Sequence, residues 1–176
     1  MTSILSPIRA RHLPRLVLLA LLAGACLLLA LPAAAQDADA LVGTWLTAPS
    51  ERGQVHVEIT ESGGTYSGKI VWMERPNIED GADAGKPKTD RENPDKKLRD
   101  RPIIGLPLVT GFSYDGGGVW SGGKIYDPEK GKTYKCKITL RDDGALDVRG
   151  FVGFSMLGRT TRWTPVESAA PASAGN

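Results

Sequence analysis

Short stretches in which apolar and polar residues alternate recur along the chain between residues 41 and 166. In residues 54–60, Val55, Val57 and Ile59 take every second position, a pattern typical of a half-buried strand. Similar stretches predict further strands at 41–46, 66–73, 106–112, 119–126, 133–140, 146–152 and 159–166. The sequence therefore predicts an all-β fold of about eight strands.

Turn residues separate these stretches at short intervals, for example Ser62-Gly63-Gly64 and Asp127 to Gly131. Gly122-Gly123 predicts a bend or bulge inside one strand. The parity of the strands predicts an inward orientation for Tyr66, Ile70, Trp72, Tyr134, Cys136, Ile138, Leu140, Leu146, Val148, Gly150 and Val152. Consecutive hairpins indicate an antiparallel meander closing into a barrel, whose interior is filled or holds one small ligand.

One segment departs from this pattern. Residues 74–101 contain eight acidic and eight basic residues and few apolar ones. We expect residues 77–92 to be a mobile loop. Order should return at Asn93, which can cap a short helical turn over 94–100 that Arg101-Pro102 ends.

The N-terminal 35 residues have the features of a signal peptide. Three arginines precede an apolar run, Leu16 to Leu31, and Ala33-Ala34-Ala35 provides a cleavage site before Gln36. The alternatives are an uncleaved membrane anchor, although the run is short for a span, and a lipoprotein acylated at Cys26. We therefore predict a periplasmic or secreted protein, with a lead at 36–40, one barrel domain at 41–166 and a disordered tail at 167–176.

Cleavage changes the charge and the cysteine count. It removes three of the 22 basic residues and none of the 20 acidic ones, which leaves 19 against 20. A nearly neutral domain lacks the field that attracts nucleic acid. Cys136 would be the one cysteine left, so no internal disulfide can form, and its strand parity predicts a buried, inert thiol.

The residues offer little for catalysis, and we predict neither a catalytic set nor a cofactor. His56 is the single histidine after cleavage and lies on the polar side of its strand. Asp80, Asp83 and Asp90 lack the ligand spacing of a calcium loop, so a solvated loop is the simpler interpretation and no metal site is predicted. A hydrolase using Asp95 or Asp127 is the least favoured alternative, since Asp127 begins a turn.

Several motifs occur in one order along the domain. They include Gly43-Thr44-Trp45, Asn93-Pro94-Asp95, Arg101-Pro102-Ile103-Ile104-Gly105, Tyr126-Asp127-Pro128, the Gly150 region and Arg159 to Trp163. Together they resemble the exported bacterial family named domain of unknown function 2147. The residues that carry the resemblance are Gly43, Trp45, Asn93, Pro94, Asp95, Arg101, Pro102, Gly105, Asp127, Pro128, Gly150, Arg159, Arg162 and Trp163.

The resemblance implies a fold similar to lipocalins and other calycins. In those proteins a Gly-x-Trp begins the first strand, as Gly43 to Trp45 does here, and an arginine of the last strand covers the tryptophan. Arg159 and Arg162 are both candidates for that arginine. The family has no established activity, so the resemblance implies a fold and a compartment rather than a reaction.

We predict a binding module for a small apolar or amphipathic molecule inside the barrel, and not an enzyme. Arg99 and Arg101 either meet an anionic ligand at the barrel mouth or hold the charged segment through Asp95, Asp100 or backbone carbonyls. The candidate ligand-binding residues are Trp72, Arg99, Arg101, Tyr126, Tyr134 and Arg159. The alternative is a non-catalytic structural or interaction protein of the envelope with a filled core, which binds a protein partner.

Overall fold

Each alternating stretch of the sequence forms a strand. The computed structural model describes residues 38–153 and 157–166. Their strands are β1 (Gly43–Leu46), β2 (Val55–Ser62), β3 (Thr65–Met73), β4 (Pro107–Gly116), β5 (Val119–Ser121), β6 (Lys124–Asp127), β7 (Lys132–Leu140), β8 (Leu146–Phe151) and β9 (Gly158–Pro165). The predicted signal peptide, most of the loop at 154–158 and the tail lie outside the described residues.

The strands form a closed antiparallel barrel. Sequence neighbours pair in turn, and β1 pairs with β9, where Leu46 faces Thr164. β5 and β6 both lie between β4 and β7 and together occupy one of eight strand positions. This arrangement confirms the predicted meander and its closure.

Gly122 and Gly123 interrupt the divided strand, as the sequence predicted. β5 and β6 pair with β4 in the same register, but their registers with β7 differ by one residue. A side chain on Gly123 would lie 2.3 Å from the Phe112 ring. Because Gly123 has no side chain, the Phe112 ring packs directly on the backbone of the bend.

One end of the interior is packed with side chains. This filled end consists of Trp45, Ile59, Tyr66, Phe112, Trp120, Ile138 and Leu146, all of them buried. The Trp120 ring lies 6.2 Å from the Tyr66 ring and 5.0 Å from the Tyr114 ring, measured between centroids. Trp45 donates its indole N–H to the Leu41 carbonyl at 3.0 Å. The filled end provides a continuous core.

The charged segment is ordered, so the expectation of a mobile 77–92 is wrong for this structure. Ile78 donates its N–H to the Lys86 carbonyl, and Ile103 donates to that of Lys88. Gly105 then donates to the Ile70 carbonyl of β3 at 2.7 Å. Backbone hydrogen bonds thus fold the segment on itself and attach it to the barrel.

The helical turn in this segment is shorter than predicted and begins later. It is a 3₁₀ helix, Lys96–Leu98, and its N-cap is Asp95, whose carboxylate accepts the Lys97 N–H. Asn93 was the predicted cap. Its side-chain oxygen accepts the Asp95 N–H instead, two residues along, in a local turn.

One predicted inward orientation is wrong. Residue 71 is an extra residue in β3, because Ile70 pairs with Val57 whereas Trp72 pairs with His56. This bulge turns Trp72 outward, where it is 43% exposed and its ring lies 4.4 Å from that of His56. Val152 lies beyond the end of β8 and is 66% exposed, but it lines the open end of the barrel interior, so its predicted inward direction is not contradicted.

Candidate functional site: a cavity at the hollow end of the barrel

The second end of the barrel contains a cavity of 760 Å³. Its apolar wall comes from inward positions of the strands and from the charged segment. These residues are Val55, Ile70, Met73, Ile78, Ile103, Leu108, Ile125, Val148 and Trp163. We call this part of the barrel the hollow end. The volume falls within the range of about 300–1,000 Å³ that is usual for small-molecule sites.

Glycine contributes to the space inside the cavity. Gly150 is an inward position of β8, and a side chain there would approach Ile125 to 3.2 Å. Its cross-strand partner on β9 is Arg159. Because Gly150 has no side chain, the space beside Arg159 stays open.

Charged residues surround the hollow end. The basic residues lining the cavity are Arg52, Lys88, Arg91, Lys130 and Arg159. The acidic residues lining it are Glu92, Asp127 and Glu129. Arg52 pairs with Glu129 at 3.1 Å and Lys130 with Asp127 at 3.3 Å. The cavity therefore combines an apolar wall with a charged rim, which suits a molecule that is itself amphipathic.

A buried carboxylate connects the charged segment to the barrel. Asp90 is fully buried, and one of its oxygens accepts two hydrogen bonds from Arg101, at 3.0 and 2.8 Å. The other oxygen accepts the Tyr126 hydroxyl proton at 2.7 Å. Asn93 donates to Asp90 at 2.7 Å and to the Tyr126 oxygen at 3.1 Å. The four residues, which we call the Asp90 cluster, join residues 90–101 to β6.

The cluster keeps Tyr126 neutral. Burial, together with the hydrogen bond to Asp90, raises the pKa of the Tyr126 hydroxyl to about 12. The same side chain lines the cavity. Tyr126 thus adds an uncharged aromatic surface there, and its hydroxyl group is already engaged as a hydrogen-bond donor to Asp90.

The structure places the predicted ligand-binding residues in three groups. Tyr126, Tyr134 and Arg159 line the cavity. Arg101 lines a smaller cavity of 320 Å³ with Tyr126, and Arg99 donates to the Asn93 carbonyl at 2.8 Å. Arg99 and Arg101 therefore hold the charged segment, which was the alternative interpretation of these arginines.

The prediction that Trp72 faces the barrel interior is wrong. The bulge in β3 turns its side chain to the outer surface against His56, and Met73 lines the cavity instead. A bulge adds one residue to the two-residue period, so every side chain beyond it changes face.

The candidate arginines for covering Trp45 lie in different places. Arg162 pairs with Asp143 on the surface, whereas Arg159 is at the hollow end. The contact recorded for the Trp45 indole N–H is the Leu41 carbonyl, in the short lead before β1.

The two aspartates considered for hydrolysis have structural contacts. Asp95 caps the 3₁₀ helix. Asp127 accepts the Glu129 N–H at 3.0 Å, which confirms the predicted turn. Cys136 is buried as predicted, and burial raises the pKa of its thiol to about 12. Within 38–153 and 157–166, no group of three or more His, Cys, Asp or Glu side chains is placed to hold a metal ion.

Asp90 is the residue that the sequence analysis missed. Its place in the charged loop, without the ligand spacing of a calcium site, predicted a solvated side chain, whereas the structure buries it. Its partners are three residues away at Asn93, 11 at Arg101 and 36 at Tyr126. One signal was available: Asn93, Arg101 and Tyr126 all belong to the motifs that carried the family resemblance.

Comparisons with known proteins agree with this architecture. Residues 43–165 match the family model described as "Uncharacterized protein conserved in bacteria (DUF2147)". A solved structure described as "Protein HP1028 from the human pathogen Helicobacter pylori belongs to the lipocalin family" is similar, with a TM-score of 0.62 and 25% identity. That similarity covers 72% of this chain and 83% of the other. No curated protein matches the chain. The predicted lipocalin-like fold is therefore confirmed.

None of the helices within the described ranges is long and apolar enough to cross a membrane.

Proposed function

The chain belongs to the DUF2147 family of uncharacterised bacterial proteins, and we propose that it binds a small amphipathic molecule in the hollow end of its barrel. The observation that supports this proposal is the 760 Å³ cavity with its apolar wall. Its wall includes Ile70, Leu108 and Val148, which are buried core residues and form its base, and the half-buried Val55 and Ile125. Transfer of an apolar ligand surface onto such a wall is favourable by about 25 cal/mol per Å².

The alternative was an interaction protein with a filled core, and the cavity favours the binding module. Packed interiors contain few voids larger than a water molecule. A space of 760 Å³ beside a well-packed filled end is far larger. We therefore assign the function to the interior of the barrel rather than to its outer face.

The test is to fill the cavity by substitution. Val55 is half-buried at the start of β2 and lines the cavity, so Val55→Trp places an indole inside it. Binding of the uncharged probe N-phenyl-1-naphthylamine, followed by fluorescence titration, should weaken about tenfold, since overpacking costs about 1–3 kcal/mol. Val71→Trp is the matched control, because Val71 is exposed on β3.

The control variant should bind the probe like the wild type, and both variants should unfold within a few degrees of it. Equal binding by Val55→Trp and the wild type would place the probe elsewhere on the protein. Absence of binding to the wild type, with this probe and with dodecanol, would contradict the proposed function.

We propose further that the protein is exported, is cleaved before Gln36 and is not an enzyme. The support for export is the order of Arg9 to Arg15, the apolar run and Ala33-Ala34-Ala35. Sequencing the N-terminus of the protein purified from its own host should give Gln36. A first residue within the predicted signal peptide would contradict the cleavage.

A further inference from the structure

The charges lining the cavity leave an excess of cations. Arg91 pairs with Asp83 at 3.1 Å, which adds a third neutralised base to the two rim pairs already described. Lys88 and Arg159 make no ion pair with any residue in the described ranges. Of the acidic residues that line the cavity, only Glu92 also makes no ion pair within the described ranges. The unpaired charges thus sum to one positive charge.

Glu92 is remote from Arg159 around the rim. The Glu92 carbonyl is packed against Gly131, in the turn between β6 and β7. Arg159 lies on β9, and β7 and β8 stand between the two positions in the barrel. Neutralisation of Arg159 by Glu92 would require the side chains to cross the mouth of the cavity.

Arg159 is exposed at the mouth of the cavity, where it can meet the charged end of a ligand. It shares strand parity with Thr161 and Trp163, both of which line the cavity. Its cross-strand partner is Gly150, so no side chain from β8 separates the guanidinium from the interior. Lys88 belongs to the charged segment, which reaches the cavity from outside the strands.

We propose that the ligand is an amphipathic anion, whose charged head pairs with Arg159 while its apolar body lies against the half-buried wall residues Val55 and Ile125. The inference rests on the proposed function and specifies the chemistry of the ligand. A guanidinium fork matches a carboxylate, sulfonate or phosphate head. The neutral Tyr126 adds no opposing charge.

The test compares two probes that share one ring system. 1-Anilinonaphthalene-8-sulfonate carries a sulfonate, and N-phenyl-1-naphthylamine carries no charge. Both are titrated into the purified wild type and into Arg159→Gln. We expect Arg159→Gln to raise the Kd of the anionic probe about tenfold, the effect of one charge-assisted hydrogen bond at a partly exposed site. The Kd of the neutral probe should change less than about twofold.

Arg162→Gln is the matched control, since it removes the same charge from the same strand on the outer surface. It should leave both dissociation constants unchanged. Lys88→Gln should weaken the binding of the anionic probe less than Arg159→Gln does. Dodecanoate should displace the anionic probe, and dodecyltrimethylammonium should not.

Three results would overturn the proposal. Arg159→Gln could weaken the binding of both probes equally, which would mean that Arg159 only contributes to the cavity wall and does not pair with a charged group. It could leave the anionic probe unaffected, or the cationic chain could compete as well as dodecanoate. Failure of the proposed function is distinguishable, because the neutral probe would then not bind the wild type at all.

Discussion

The filled and hollow ends of the barrel consist of the same strands but use their inward positions differently. At the filled end, aromatic residues such as Tyr66, Phe112 and Trp120 pack together on the neighbouring strands β3, β4 and β5 and are at most 4% exposed. At the hollow end the inward positions include Val55, Ile125 and Gly150, which are smaller and leave a cavity. The two ends therefore differ in how completely side chains fill the space between the same strands.

This difference implies a division between stability and binding. Dispersion and burial are greatest where side chains surround each other completely. Residues that line a cavity have fewer partners, so their truncation costs less and their enlargement is tolerated better. We therefore expect the filled end to carry most of the free energy of unfolding and the hollow end to vary without loss of the fold.

Truncation of one isoleucine at each end gives the largest expected contrast. Ile138 is fully buried at the filled end, whereas Ile125 is half-buried on the cavity wall. Ile138→Ala should lower the free energy of unfolding by about 4 kcal/mol, and Ile125→Ala by about 1 kcal/mol. Urea denaturation followed by tryptophan fluorescence measures both.

The comparison uses identical substitutions on adjacent strands, so side-chain chemistry is constant. Equal losses at the two sites would mean that the hollow end is packed as tightly as the filled end. A larger loss for Ile125→Ala would reverse the assignment of stability to the filled end.

The filled end could be predicted largely from the sequence, and the hollow end only in part. Strict alternation identified the inward faces of Ile59, Ile138 and Leu146, because the period of a strand is two. Alternation gives the direction of a side chain but not the space in front of it. The volume left beside Gly150 depends on side chains from other strands. A prediction of the cavity therefore needs the register of the whole barrel.

Trp72 and Asp90 show the other two limits of the sequence. A bulge at residue 71 reverses the face of Trp72, and one sequence does not reveal which residue of an alternating run is unpaired. The burial of Asp90 depends on Arg101 and Tyr126, which fold onto it from distant positions. The density of charged residues along the chain predicted an exposed side chain, but Asp90 is buried because the fold pairs its charge.

The Asp90 cluster gives the second prediction, at the border of the hollow end. Asp90→Ala removes the acceptor of Arg101, Tyr126 and Asn93 and leaves their donors unsatisfied. We expect the free energy of unfolding to fall by about 3 kcal/mol, the usual cost of breaking a buried ion pair. The exposed Asp83, which pairs with Lys86 and Arg91, is the matched control.

Asp83→Ala should leave the free energy of unfolding nearly unchanged, because exposed ion pairs contribute little. Both variants are measured by urea denaturation at pH 7. Equal, small effects would mean that the charged segment is held by its backbone hydrogen bonds alone. Probe binding by a folded Asp90→Ala variant then reports whether the segment is needed to form the cavity.

The smallest expected effect depends on pH and concerns Tyr126 alone. Its pKa is about 12 in the folded protein against an ordinary value of 10.0, so the folded state holds this proton more tightly. The resulting stabilisation is complete below pH 10 and is lost as the pH rises toward 12. Tyr126→Phe lacks both this contribution and the hydrogen bond to Asp90.

At pH 8, Tyr126→Phe should therefore be less stable than the wild type by about 1 kcal/mol, the usual contribution of one hydrogen bond. The gap should narrow above pH 10 and reverse before pH 12, because only the wild type loses stability through this tyrosine there and a rise of this size in the pKa outweighs one hydrogen bond. Cys136, whose pKa is also raised to about 12, titrates in both proteins and leaves their difference unchanged. Urea denaturation at pH 8, 9.5, 10.5 and 11.5 measures the gap. A constant gap over this range would show that ionisation of Tyr126 is not coupled to the packing of the charged segment against β6, and the Asp90 cluster would then hold the segment only through Arg101 and Asn93.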